Sequence, residues 1–168
     1  MKTLLERFSF KGKKDQIMCI CIWFSKPNRL NEHCIILLKN TQRIFESNPD
    51  ATALFQFAQD YAADDKEMYN SELFVKHSTA VVSTVTAAVG LLEKGDLEIL
   101  MSVLKDLGER HGSFELVQAH YDLVGESLLY TLAQGLGDSF TSDIKTAWIR
   151  VYNIIAEQMI NGAREYSR

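Results

Sequence analysis

The sequence predicts an all-α fold. Only two prolines, Pro27 and Pro49, occur in 168 residues, so long helices can run unbroken. Apolar residues make up 46% of the chain, enough at this length for one domain with a substantial core. From Asn31 onward they recur at steps of three and four between clear breaks at Asn48–Pro49, Lys94–Gly95–Asp96, Gly112 and Gly137.

Residues 1–29 have no helical period, and Ile17–Phe24 is an apolar run of eight after a basic stretch. That run is short of the about 20 residues a bilayer span needs, and it lacks a small-residue cleavage site. A first helix is expected from Asn31, on Cys34, Leu37, Leu38, Thr41, Ile44 and Phe45. Asn48 can cap and Pro49 can open a short helix that leads to Leu54 and Phe55. Residues 58–70 are polar and acidic, which predicts a solvated loop with at most one irregular turn.

Ser71 followed by Glu72 marks the start of a long helix to about Leu92. At about 100° per residue, His77, Val81, Thr84 and Ala88 share one arc, and Phe74, Val82, Val85, Val89 and Leu92 widen the apolar sector. Ser78 intrudes on it. Asp96 can cap the next helix, whose narrow stripe Leu97, Leu100, Leu104, Leu107 ends in His111 before Gly112 stops it. A helix from about Leu116 to Leu136 turns Tyr121, Val124, Leu128 and Leu132 inward, and Gly137 ends it. Thr141 and Asp143 start the last helix, with Ile144, Trp148, Val151, Tyr152, Ile155 and Met159 as its apolar face. From Gly162 the tail is expected to fray.

Charge divides the chain near residue 42. Residues 1–42 hold 8 Lys/Arg against 3 Asp/Glu, and the rest hold 10 against 19, giving a net −4. An acidic body with no polybasic patch argues against nucleic acid and membrane partners. Cys19, Cys21 and Cys34 form no even disulfide framework, and Cys19–Ile20–Cys21 lacks zinc-site spacing, so free thiols in a reducing cytoplasm are expected.

The chemistry centres on two histidines. His77 and His111 each fall on the apolar stripe of a separate helix, where imidazole is costly unless its nitrogens are satisfied. A metal centre between the helices would satisfy both. The bland alternatives are a helix-terminal His111 bonding the last carbonyls and an edge-of-core His77 pointing to solvent. His120 and His33 are not expected to be ligands.

Several runs, in order over residues 45–159, resemble one family. They are Asn48–Pro49–Asp50 with Leu54–Phe55, Leu107–Gly108–Glu109–Arg110–His111, Val124–Gly125–Glu126–Ser127–Leu128–Leu129–Tyr130, and Phe140–Thr141 with Ala147–Trp148 and Tyr152. Together they resemble an animal globin of the neuroglobin-like or related invertebrate kind. The resemblance covers about residues 43–160; residues 1–42 are atypical and expected to replace the first helices, and 43–168 to form the core.

The resemblance implies a globin-like helical fold with a haem pocket and haem b (iron protoporphyrin IX) as cofactor. It implies His111 as proximal iron ligand, His77 as distal residue and candidate second ligand, Phe55 packing on the macrocycle, and Val81 as apolar wall. Leu104, Leu107, Leu116, Tyr121 and Val124 are implied to line the pocket. At Thr41 such proteins usually carry a large apolar contact. The implied function is reversible binding of O2, NO or CO for storage, scavenging or sensing, by a monomer or weak homo-oligomer, with no dedicated catalytic residues. The alternatives are a haem enzyme (nitric-oxide dioxygenase, nitrite reductase or weak peroxidase, served by a reductase) and a haem-free helical scaffold.

Overall fold

The computed structural model describes residues 39, 41–62 and 65–166. The Ile17–Phe24 run, the three cysteines, His33 and the start of the first expected helix lie outside the described residues. Among the described residues the regular structure is helical throughout.

Residues 41–47 are helical and lead into short 3-10 turns at Pro49–Leu54, Gln56–Ala58 and Met68–Asn70. Four long helices follow: α1 (Glu72–Lys94), α2 (Leu97–His111), α3 (Gln118–Leu136) and α4 (Ser142–Tyr166). Ser71 caps α1 as expected, its hydroxyl accepting from the Phe74 N–H at 3.3 Å. Thr141 does the same for Ile144 at the start of α4.

Helix α1 contributes to three packing clusters along its length. Phe74 enters an aromatic cluster with Ile44, Phe45, Phe57 and Met68. Val85 and Val89 pack with Leu128 and Leu132 of α3 and with Ala147 and Trp148 of α4. Ala88 meets Leu100 and Leu104 of α2 and Ile154 of α4. By length and composition alone, Glu72–Leu92 is apolar enough to cross a membrane. Its opposite face carries Lys76, Thr79 and Ser83, all exposed, as an amphipathic core helix requires.

Several local expectations are corrected. Neither Asn48 nor Asp96 forms a side-chain cap. At the α1–α2 corner Gly95 takes φ 79°, and its N–H bonds back to the end of α1, so backbone closes the turn without Asp96. Gly112 does not stop α2 outright. It stays right-handed and opens the 3-10 turn Gly112–Phe114, and Glu115, at φ 51°, makes the left-handed exit. Helix α3 starts at Gln118, close to the expected start near Leu116, and the Nδ1 of His120 accepts the Val117 N–H at 3.2 Å at its first turn.

Residues 58–70 are less solvent-facing than their polarity suggests, since Ala58 and Met68 are buried in the aromatic cluster. Past Gly162 the chain does not fray: α4 continues to Tyr166, held against α2.

Candidate functional site

His111 ends α2 with its ring fixed by its own helix. Its Nδ1 lies 2.8 Å from the Leu107 carbonyl oxygen, four residues back. A carbonyl can only accept, so Nδ1 carries the proton and Nε2 is left with a free lone pair. That is the tautomer and the restraint a metal-ligating imidazole needs. Phe114, in the turn beyond, lies 6.1 Å away ring to ring.

His77, two turns into α1, is held by aromatic rings. Its centroid is 5.7 Å from Phe55, edge-on, and 5.5 Å from Phe57. Burial lowers its pKa from the ordinary histidine value, and His111, when protonated, lowers it further. With its pKa lowered, His77 stays neutral near pH 7.

The other expected residues divide. Phe55 sits between two 3-10 turns, 5.3 Å from Phe45 and 5.2 Å from Phe57, and Val124 packs on the same cluster. Val81, one turn beyond His77, is half-buried on the α1–α3–α4 core. Leu107, Leu116 and Tyr121 come together with Ala156 and Met159 of α4 on the His111 side. Leu104 does not join them: at 0% exposure it is enclosed among Ala88, Leu100 and Ile154, so its side chain serves helix packing.

Phe57 and Phe114 flank the two histidines and were not singled out by sequence. The signal for Phe57 was its place two residues after Phe55, but the polar stretch that follows it reads as loop. His120 is engaged in capping α3.

Tyr121 is pinned through its backbone: the Tyr152 hydroxyl donates to its carbonyl at 2.6 Å. Burial raises the Tyr121 pKa, and burial with the charges of Tyr121 and Asp122 raises that of Tyr152 strongly, so both phenols remain protonated donors.

The donor set bears on which group the site can hold. Among the described residues no cluster of three or more His, Cys, Asp or Glu could hold a metal ion. Two imidazoles offer at most two ligands, and a macrocycle that brings its own nitrogens fits that set. The apolar walls around both rings fit its flat faces.

The globin family model matches residues 39–159. The chain belongs to the globin family. Curated relatives of this globin include neuroglobin from Danio rerio, 33% identical over 151 residues, covering 90% of this chain and 91% of the relative. Neuroglobin from Tetraodon nigroviridis is 30% identical over the same shares. Covering 90% of the chain, these matches reach into residues 1–42.

Solved globin folds agree with the architecture. A hexacoordinated haem protein from an anhydrobiotic tardigrade superposes with TM-score 0.75 at 20% identity, over 95% of this chain and 98% of that one. Deoxy haemoglobin from Dasyatis akajei gives 0.65 at 20% identity, over 88% and 95%. Membership of the globins supports a haem cofactor and haem-based binding of diatomic gases in general.

Proposed function

We propose that this globin reversibly binds O2, NO or CO at haem b in the cytoplasm, with His111 as proximal ligand and His77 as the distal residue. The observation that carries the reading is the bond from His111 Nδ1 to the Leu107 carbonyl, which fixes the ring and keeps Nε2 out of that bond, available to a metal.

Haem would supply the iron that takes up the gas. The chain's own residues do the rest. Leu107 orients the His111 ring through its carbonyl and polarises it, which strengthens Nε2 as a ligand. His77, kept neutral by burial, carries one ring N–H with which to hold a polar diatomic guest, and one lone pair with which to ligate iron itself. Phe55 and Phe57 box His77 in and keep bulk water from it, and Val81 narrows the space one turn along. Leu107, Leu116, Tyr121 and Val124 supply apolar wall. A His77 that binds iron when no gas is present is the finer reading, supported by its burial as a neutral imidazole and by the hexacoordinated state named for the tardigrade relative in fold.

The test is the absorption spectrum of the purified protein made with ample haem. The deoxygenated ferrous form should show six-coordinate low-spin bands, and a broad five-coordinate band would overturn His77 ligation. His111→Ala should abolish stable haem binding; an unchanged spectrum in that variant would overturn the proximal assignment.

A further inference from the structure

Helices α2 and α4 meet backbone to backbone. A Cβ on Gly108 would lie against the Met159 carbonyl, and one on Gly162 against the Lys105 carbonyl, both far inside contact distance. A third contact closes the same face one turn on. A Cβ on Gly112 would lie 2.5 Å from the Cβ and 2.7 Å from the ring of Tyr166. At the rim, Lys105 Nζ pairs with Glu165 at 2.7 Å.

Lys105, Gly108 and Gly112 fall at steps of three and four, roughly a third of a turn around α2 from the Leu104–Leu107–His111 stripe. One side of α2 therefore presents His111 while the adjoining side is seated on the last two turns of α4. Side chains can adjust by changing rotamer, whereas peptide groups in contact cannot. The two residues that fix the His111 ring, Leu107 by its carbonyl and His111 by its own backbone, adjoin Gly108 and Gly112.

We propose that Tyr166, through Gly112, is a positioning residue for His111: the end of α4 sets where the imidazole sits and so tunes its hold on the cofactor. This rests on the reading of His111 as haem ligand. Tyr166 is 61% exposed, so core burial does not account for its place. The close contact is made by its Cβ and the near edge of its ring.

The test is two single substitutions, each read in the haem-loaded protein. Gly112 has right-handed dihedrals, so alanine there is conformationally allowed and adds only the methyl that meets Tyr166. Gly112→Ala should shift the iron–histidine stretching band recorded after photolysis of the CO complex, and should speed haem loss about tenfold, the scale of one overpacked methyl. Tyr166→Gly on its own, which removes both the Cβ and the ring that Gly112 meets, should shift the same band although no methyl has been added to α2, which overpacking alone would not do. An unchanged band in Gly112→Ala, or in Tyr166→Gly, overturns the positioning role while the haem reading stands. Failure of the wild-type chain to take up haem, or absence of an iron–histidine band in it, overturns the function first and the positioning role with it.

Discussion

At the scale of single residues, two phenols of one layer have opposite standing. The Tyr152 hydroxyl is used on the Tyr121 carbonyl, while the Tyr121 hydroxyl is buried without a partner among the described residues. A buried polar atom left unpaired costs more than its removal. Tyr121→Phe should therefore stabilise the haem-loaded protein, by about 1 kcal/mol, read as a higher urea midpoint at unchanged slope. A lower midpoint would show that the hydroxyl has work to do. The sequence marked Tyr121 as inward because its helical period is clear, but which oxygen of a tyrosine is satisfied depends on a partner 31 residues away. His111 is the contrasting case, since the carbonyl that orients it lies one turn back in the same stripe.

At the scale of elements, boundaries followed local chemistry where local chemistry decides them. Ser71 was readable as the cap of α1, and Ser71→Ala should cost about 1 kcal/mol of stability, measured by denaturant melt of the haem-loaded protein. A loss near zero would mean that packing of Phe74 alone holds the helix start. Asn48 and Asp96 carry the same side-chain chemistry yet do not cap: the Ala51 N–H goes to the Asn48 backbone carbonyl, and the Leu97 and Leu100 N–H groups go to the Gly95 and Asp96 backbone carbonyls. Gly112 and Gly162 were read as a stop and a frayed end, the usual local meanings of glycine. Their meaning here is tertiary: each lets another chain segment approach closely. Leu104 shows a related dependence. Helical spacing puts it on the stripe of His111, and the neighbours it packs on, Ala88 and Ile154, come from two other helices.

At the scale of the whole molecule, the helical class and the helices that carry His77 and His111 were legible in sequence, because period and breaks repeat over a long stretch. The packing order was not. The aromatic cluster draws Phe45, Phe57, Met68 and Phe74 from four separate segments, and three of its four large members lie outside the stripes expected around the site. That cluster braces His77 from the N-terminal side, while α4 braces His111 from the C-terminal side, so each half of the site depends on a different part of the chain. Family membership and the fold then agree over most of the length, with the match to relatives reaching above residue 42.

The seating of α2 on α4 also has a kinetic side. Segments joined by peptide-to-peptide contacts cannot open one at a time without losing the same bonds, so they form one cooperative unit of opening. Amide hydrogens in residues 105–111 and 159–165 should therefore exchange with deuterium on a common timescale, although the second group lies near the end of the last helix. Fast exchange of residues 159–165 beside slow exchange of 105–111 would show that the two helices part independently. Joint exchange would make the chain's last turns as slow to open as the helix that carries the histidine.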